Sequence, residues 1–276
     1  MFQKLRKSKK LVLIAMACAT FAIAGCGSDT TKNTADNGKA VTWSETFDGT
    51  KTDFAVKSSP THAVSMSQAT TEMMLQLGLE DKMAGTAFKE EEIYPPLQAA
   101  YDKVKVLSDK WPSYEVFMSV KPDFATGWPD SFSKRAIPAD KMIAQKVNIW
   151  LPESMLSTKA DLETNFNDMI KLGEIFGVKP KAEEWVAGQR KTLAAIQDKL
   201  KDLPRKRVFI YDSEDGQPFT AFEGYTTNIL KLIGADNVMS GLGVDKTWAK
   251  GSWETVIAQN PDYIIIADYG TSIRND

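Results

Sequence analysis

Few residues in this sequence of 276 can carry catalytic or metal-binding chemistry. It contains one histidine, His62, and two cysteines, Cys18 and Cys26. A Ser-His-Asp site would have only His62 as its base, and a zinc site built from several histidines is excluded. The sequence also lacks a G-x-S-x-G nucleophile motif. We therefore expect no enzymatic activity, no catalytic or metal-ligating residue and no cofactor, and we interpret His62 as structural.

Stacking on a large flat ligand is a second kind of chemistry, indicated by aromatic residues in loops rich in Pro and Gly. These residues follow predicted strands, at the edge where open α/β sheets bind ligands. Any one of them could equally belong to the core, but as a set they lack helical or strand spacing. The predicted ligand-binding residues are Ser67, Gln68, Phe88, Trp111, Trp128, Phe219, Tyr225, Trp248 and Tyr269. Further candidates at strand ends are Glu153, Asp212 and Phe222.

The elements that must position these residues are short apolar strands alternating with helical stretches. This alternation predicts an α/β fold with a mainly parallel sheet. The predicted strands are 62–66, 83–87, 105–107, 123–127, 147–151, 208–211 and 263–267. Asp48-Gly49 predicts the turn of an N-terminal hairpin, and Gly78 and Gly234 each close a predicted helix.

One pattern occurs twice in the chain. Glu115 precedes Pro122-Asp123 by seven positions, and Glu254 precedes Pro261-Asp262 by seven, with an apolar strand after each. Two matches in the same order indicate a duplicated lobe.

Two helices separate the copies. We predict an interlobe hinge helix over 158–178, with Thr158 and Asp161 as its capping box, and a second helix over 181–201. The expected domains are an N-terminal α/β lobe at 41–157 and a C-terminal α/β lobe at 179–276. Two lobes on a helical connection form a cleft, where ligands usually bind.

The N-terminal sequence predicts that the protein is exported from the cytoplasm. Residues 1–10 carry five basic and no acidic side chains, and the apolar run 11–24 is too short to cross a hydrocarbon core of about 30 Å. Ile23-Ala24-Gly25-Cys26 resembles a bacterial lipoprotein signal, which implies a signal peptide at 1–25, a lipid on Cys26 and an anchor on the outer side of the cell membrane. Residues 26–40 have no large apolar side chain and are predicted to be a flexible tether.

The charge of the exported part differs from that of the whole chain. The full sequence has a formal net charge of -2. Loss of the five basic residues would leave -7, and no free thiol would remain. An acidic chain without a basic face is not expected to bind nucleic acid.

After the tether, the chain resembles the class III substrate-binding proteins of ABC importers for iron siderophores, haem and vitamin B12. The matching residues are Val64-Ser65-Met66-Ser67, Thr71-Glu72, Leu77-Gly78, Val120-Lys121-Pro122-Asp123, Leu172-Gly173, Pro218-Phe219-Thr220 and Asn260-Pro261-Asp262. Gln68 departs from the family, which commonly has Pro there. The resemblance implies two lobes on a long hinge helix and a monomer that delivers a small-molecule metal complex to a dimeric permease.

The resemblance also assigns a role in permease docking to Glu115 and Glu254. In that family a Glu from each lobe meets Arg residues of the permease, and these two match the positions. The alternative is structural, because a carboxylate in a first helical turn complements the helix dipole.

Charge ranks the ligands that the resemblance implies. Arg135 is the only Arg between the signal and residue 189, and Lys89 or Lys110 could assist it. A triply anionic catecholate complex needs several cations, so we rank hydroxamate siderophores and corrinoids above catecholates. Haem held by His62 is not expected.

Two other functions stay open from the sequence, a surface scaffold or adhesin lipoprotein and a chelatase-like enzyme on a two-lobed fold. Family members continue past residue 267 with further strand and helix, so the second lobe is expected to be incomplete. That would leave an exposed sheet edge and a second lobe less stable than the first.

Overall fold

The computed structural model describes residues 39–268, which lie in one compact unit of the chain. The predicted signal peptide, Cys26 and all but the last two residues of the tether lie outside the described residues, as do Tyr269 and the residues after it. Within 39–268, no helix combines the length and apolar character needed to cross a membrane.

The described chain begins with the predicted hairpin, which pairs β1 (Val41–Phe47) with β2 (Thr50–Val56) in antiparallel register. Asp48 and Gly49 both have positive φ, 48° and 80°, as a two-residue hairpin turn requires. From β1, Trp43 stacks on Phe54 at 5.7 Å. Trp43 also donates its Nε1 hydrogen to the carbonyl of Ile149 at 2.7 Å, which fastens the hairpin to the first lobe.

The first lobe is built on five parallel strands in the order β5-β4-β3-β6-β7. They are β3 (Ala63–Met66), β4 (Met83–Ala87), β5 (Val106–Ser108), β6 (Phe124–Gly127) and β7 (Asn148–Trp150). All four residues of the central β3 are buried, as expected for a strand covered on both faces. The five strands confirm the predicted ones to within one residue at each end.

Helices and short 3-10 turns connect these strands. The helices are α1 (Gln68–Gln76), α2 (Gln98–Tyr101), α3 (Tyr114–Ser119) and α4 (Ala139–Ala144). The 3-10 turns are Glu80–Lys82, Pro95–Leu97, Pro129–Phe132 and Glu153–Met155. Gly78, with φ of 65°, follows α1 as predicted.

Two longer helices follow, α5 (Leu162–Ile175) and α6 (Lys179–Leu200). The predicted capping box was wrong, because Asp161 caps α5 with Thr164 and the helix starts four residues later than expected. Asp161 accepts from the Thr164 amide at 2.9 Å, and the Thr164 hydroxyl accepts from the Asp161 amide at 3.2 Å. Thr158 and Asp161 both have side chains that can cap a helix, and their spacing in the sequence does not show which of them does so.

The core contacts attach α5 to the first lobe. Phe166, Met169 and Leu172 are buried in the same cluster as the first-lobe strands and α1. Gly173 allows α6 to approach, since a Cβ there would lie 2.7 Å from the Cβ of Ala182. The predicted hinge role of 158–178 and the predicted domain boundaries stay predictions.

In the residues that the structure describes, the second lobe contains two small sheets. One is parallel, in the order β11-β8-β13, and the other is antiparallel, in the order β12-β10-β9. Its strands are β8 (Lys206–Tyr211), β9 (Ser213–Glu214), β10 (Pro218–Ala221), β11 (Ala235–Asn237), β12 (Trp248–Lys250) and β13 (Tyr263–Ile266). Its helices are α7 (Tyr225–Leu232) and α8 (Trp253–Gln259). The strands β9 to β12 were not predicted, because they have two to four residues and no long apolar run.

Exposed apolar residues distinguish β13 from the other parallel strands. In the described part of the chain β13 pairs with β8 alone. Its four residues, Tyr263 to Ile266, are each 47% to 57% exposed. In the described residues β13 therefore presents apolar side chains to solvent, and the incompleteness of the second lobe stays a prediction.

Candidate ligand-binding site

Four of the predicted binding residues lie together on the first lobe. Gln68, Phe88, Trp111 and Trp128 follow the carboxyl ends of β3, β4, β5 and β6, and parallel strands bring those ends to one edge of the sheet. Glu90 joins them through the loop after β4. We call these five residues the first-lobe cluster.

Phe88 and Trp111 form the stacked centre of the first-lobe cluster. Their ring centroids are 4.6 Å apart with planes inclined by 17°. Trp111 is fixed by a 3.1 Å bond from its Nε1 to the carbonyl of Met66. Phe88 has a φ of 60°, which is unusual for an aromatic residue and turns the chain sharply after β4. Both rings are half-buried, so the stack keeps surface open to solvent.

Trp128 and Glu90 supply a polar contact beside that stack. The Trp128 Nε1 donates to Glu90 Oε2 at 3.2 Å. The pKa of Glu90 is raised above its ordinary value, mainly by partial loss of hydration. The hydrogen bond from Trp128 opposes this shift, and repulsion from the charge of Glu91 adds to it. Glu90 was not among the predicted residues. The acidic run Glu90-Glu91-Glu92 directly after a strand was the available signal.

Gln68 holds the loop that carries Glu90. Its Oε1 accepts from the amides of Glu90 and Glu91 at 2.9 and 2.7 Å. Its Nε2 donates to Glu72 Oε1 at 2.9 Å and to the Glu92 carbonyl at 3.2 Å. Because the whole carboxamide is engaged, the structure gives Gln68 a positioning role in this loop, and direct ligand contact stays a prediction.

Ser67 is fully buried at the start of α1. Its hydroxyl accepts from the Thr70 amide at 3.2 Å and lies 2.8 Å from the Thr70 hydroxyl. Ser65, Thr71 and Thr86 extend this buried hydroxyl network with contacts of 2.6 to 2.8 Å. The Ser and Thr residues of the sequence motif thus join α1 to the sheet beneath the first-lobe cluster.

The second lobe contributes a smaller aromatic surface. Phe219 on β10 and Trp248 on β12 are half-buried and stack at 6.3 Å with planes inclined by 18°. They are diagonal neighbours, because Phe219 faces Lys250 and Ala221 faces Trp248 in the antiparallel register. Phe222 is 3% exposed and packs in the core, and Asp212 accepts a bond from Ser213 at 2.9 Å.

Tyr225 is the first residue of α7 and lies near Asp168 of α5. Burial raises its pKa, with a further contribution from the charge of Asp168 on α5. Asp168 is 5% exposed and accepts from the amides of Glu153 and Ser154, both at 2.9 Å. The Glu153 side chain is exposed. From α7, Asn228 Nδ2 donates to the Ala160 carbonyl at 2.8 Å, a direct bond between the second lobe and the segment 158–178.

A second buried acid holds the same connecting segment. Glu45 of β1 is 8% exposed and accepts from the Leu151 amide at 3.0 Å. Burial raises the pKa of Glu45 to about 7, opposed by the Leu151 bond and increased by the nearby charge of Asp168. Glu45 and Asp168 together anchor residues 151–154, where the chain leaves the first sheet.

Glu115 and Glu254 occupy equivalent exposed positions in the first turns of α3 and α8. A serine two residues earlier caps each helix: Ser113 accepts from Val116 at 3.3 Å and Ser252 from Thr255 at 3.1 Å. The backbone amide of Glu115 and then the Ser113 hydroxyl lower the pKa of Glu115. The exposure of both carboxylates leaves them available to a partner.

His62 and the acids do not form a metal centre in the part of the chain that the structure describes. No group of three or more His, Cys, Asp or Glu residues between positions 39 and 268 is arranged to hold an ion. His62 is exposed beside Thr61, with its Nδ1 3.1 Å from the Thr61 hydroxyl.

Comparison with known proteins gives consistent matches. A family model described as periplasmic binding protein matches residues 64–275. The crystal structure of a periplasmic binding protein from Veillonella parvula is 96% identical, with a TM-score of 0.84, over 87% of this chain and 81% of that one. An uncharacterized ABC transporter substrate-binding lipoprotein, YvrC of Bacillus subtilis, is 26% identical over 95% of this chain and 82% of its own length. A vitamin B12-binding protein of Yersinia pestis is 23% identical over 77% of this chain and 71% of its own length.

Proposed function

This chain belongs to the periplasmic binding protein family, and from that premise we propose that it captures a metal complex, a ferric siderophore or a corrinoid, between its two lobes. As a member of that family it is an extracytoplasmic binding protein and not an enzyme, which removes the chelatase alternative. The fold is the class III α/β fold that the sequence predicted.

The observation that carries the proposal is the stack of Phe88 on Trp111 at the carboxyl edge of the first sheet. Half-buried, parallel aromatic rings offer a flat apolar surface to a bulky, rigid ligand. Trp128 adds an indole edge, and Glu90 adds an acceptor for amide or hydroxyl groups. Corrinoids and hydroxamate siderophores combine such apolar and hydrogen-bonding surfaces.

The charge of the site favours neutral or cationic complexes. Glu90 is the ionisable member of the first-lobe cluster, and Glu91 and Glu92 follow it. Arg135 forms a short ion pair with Asp130, which reduces its use as an anion-binding group. A triply anionic catecholate complex would therefore bind weakly, and the B12-binding relative is consistent with a corrinoid.

The further parts of the proposal are delivery and anchoring. We place Glu115 and Glu254 against basic residues of an ABC importer permease, one carboxylate from each lobe. YvrC carries the words ABC transporter and lipoprotein in its name, which supports both the permease and a lipid on Cys26. The working unit is then a lipid-anchored monomer that meets a permease dimer.

Ligand titration tests the function directly. The exported domain is titrated with ferrioxamine, ferrichrome, cyanocobalamin, haemin and ferric enterobactin while intrinsic tryptophan fluorescence is recorded. We expect saturable quenching by a hydroxamate complex or by cobalamin, at micromolar or lower concentration, and weak or no binding of enterobactin. Free tryptophan titrated with the same ligand corrects for inner-filter loss.

Two variants locate the bound ligand. Trp111→Leu removes half of the stack and is expected to weaken binding about tenfold, since such stacking contributes about 0.5–1.5 kcal/mol beyond the buried area. Trp185→Leu changes an aromatic residue on α6, outside the first-lobe cluster, and should leave the affinity unchanged. Absence of binding across the whole panel would refute the proposal and favour the scaffold or adhesin alternative.

A further inference from the structure

A groove on the first lobe, separate from the aromatic stack, has its own recognition chemistry. It has a volume of about 650 Å³ and lies between one face of α1, the loop after residue 93, and the helices α5 and α6. Its apolar lining includes Met73, Tyr94, Leu97, Met169 and Trp185. This volume lies in the range of small-molecule sites.

The polar lining of the groove consists of one carboxylate and three carboxamide side chains. Glu72 lies in the wall, and the other polar side chains there are Gln76, Asn165 and Gln189. No Lys, Arg or His is among the lining residues that the structure describes. The Glu72 carboxylate accepts hydrogen bonds and the three carboxamides can accept or donate them, so the net negative wall is complementary to a cation or an N–H donor.

Glu72 is preorganised for such a ligand. Its Oε1 accepts from Gln68 Nε2 at 2.9 Å and from the Tyr94 amide at 3.1 Å, which holds the side chain in place. In the residues described, no basic side chain pairs with Glu72. The carboxylate is half-buried, so its charge is less hydrated than that of a surface acid.

The aromatic and sulfur-containing residues favour the same kind of ligand. Trp185 is held edge-on by Phe166 at 6.2 Å, and Tyr94 lies across the groove in the loop that Glu72 binds. Aromatic faces attract ammonium groups, and methionine side chains adapt to apolar bodies of varied shape.

We propose that this groove binds a small organic ammonium ion, an amine with an apolar body, whose charge pairs with Glu72. The site is distinct from the first-lobe cluster. Both share the loop 89–94, however, because α1 holds that loop through Gln68 next to the cluster and through Glu72 next to the groove.

Methionine methyl NMR provides a local test. The protein is labelled with ¹³C-methyl methionine and titrated with 2-phenylethylammonium, and then separately with neutral 2-phenylethanol and anionic phenylacetate. We expect saturable shifts of Met73 and Met169 with millimolar affinity, as usual for a fragment-sized ligand. Met142 and Met239, buried in other clusters, serve as internal references.

A matched pair of variants tests the charge. Glu72→Gln keeps an oxygen for the Gln68 and Tyr94 bonds but loses the charge of the ion pair, and should weaken ammonium binding about fivefold. Glu183→Gln removes an exposed acid of α6 outside the groove and should have no effect. Trp111→Leu should also leave this binding unchanged, which separates the groove from the first-lobe cluster. Equal affinity for the three ligands, no saturable shift of Met73 and Met169, or an unchanged Glu72→Gln variant would each overturn the proposal.

Discussion

Asp123 and Asp262 make the same two backbone contacts in the two halves of the chain. Asp123 accepts from the His62 amide at 3.0 Å and donates its own amide to the His62 carbonyl at 3.1 Å. Asp262 accepts from the Arg207 amide at 2.8 Å and donates to the Arg207 carbonyl at 2.8 Å. Each aspartate thereby sets the start of a strand beside the central strand of its lobe.

These equivalent contacts give the sequence repeat a physical reason. In both halves a Ser-capped short helix is followed within two residues by one with positive φ, Lys121 at 50° and Asn260 at 46°, and then by Pro-Asp. The turn returns the chain to the central strand, and it leaves the helix start, with Glu115 or Glu254, exposed. The two carboxylates are equivalent because the whole unit is repeated.

Charge reversal tests their role in docking. The double variant Glu115→Lys and Glu254→Lys is expected to abolish ligand uptake while the dissociation constant of the ligand stays within twofold of wild type. The reason is that both side chains are exposed and outside the first-lobe cluster. Uptake of labelled ligand by cells and fluorescence titration of the purified domain measure the two effects.

The control for this experiment changes charge by the same amount elsewhere. Glu183→Lys with Glu184→Lys reverses two exposed acids of α6 and should leave uptake intact. Loss of uptake in this control as well would indicate a general charge effect. A fall in ligand affinity in the Glu115 and Glu254 variant would contradict the docking assignment.

The Gln68→Pro variant tests whether the Gln68 side chain holds the loop after β4, because it removes that side chain and leaves the helix α1 intact. Gln68 is the first residue of α1, a position where Pro fits without loss of a helical bond. The helix should therefore survive, while the Glu90 and Glu91 amides lose their acceptor. We expect their hydrogen exchange to accelerate about tenfold or more, corresponding to one bond of about 1.5 kcal/mol. The Thr71 amide, bonded to the Ser67 carbonyl at 3.0 Å, is the reference, and unchanged exchange at Glu90 would disprove the positioning role.

The buried Glu45 predicts a dependence of stability on pH. Its pKa rises from an ordinary 4.5 to about 7 on folding. The folded state therefore binds the proton more tightly, and stability is lost as pH rises from about 4.5 to 7. Glu45→Gln keeps an acceptor for the Leu151 amide without a charge. It should unfold at a higher temperature than wild type at pH 8, by an amount equivalent to roughly 3 kcal/mol, and the difference should vanish near pH 4.5.

Thermal unfolding of both proteins across pH 4.5 to 8 measures this effect. Asp168, whose pKa burial also raises, contributes a slope of the same sign. Because the charges of Asp168 and Glu45 repel each other, that contribution is smaller without the Glu45 charge, and the difference between the two proteins includes this interaction. A constant difference between Glu45→Gln and wild type at every pH would contradict the assignment.

The strands of the first lobe, and the position of Phe88 and Trp111 just beyond strand ends, follow from local sequence signals, whereas the stack that these two rings form was not predicted. Continuous apolar runs mark buried parallel strands, and aromatic residues just beyond them fall at one sheet edge. The role of Gln68 could not be predicted, because its partners lie 22 and 23 positions away and depend on how the loop folds back. Pairing between distant segments also creates the antiparallel pair β10 and β12, in which Phe219 faces Lys250. The two-residue strand β9 joins β10 across a short turn, and its sequence is too short to show a pattern of its own.

The exposed strand β13 predicts unequal stability of the two parallel sheets. Ile149 of β7 is fully buried, whereas Ile264 of β13 is 57% exposed. Ile149→Ala should lower the free energy of unfolding by about 2–5 kcal/mol, and Ile264→Ala by about 0.5 kcal/mol or less. Urea denaturation measures both. Amides of β8, whose neighbour β13 is half exposed, should exchange faster than those of β3, and protease should cut the second lobe first. Equal exchange and equal resistance to digestion in the two lobes would contradict the expectation that the second lobe is the less stable one.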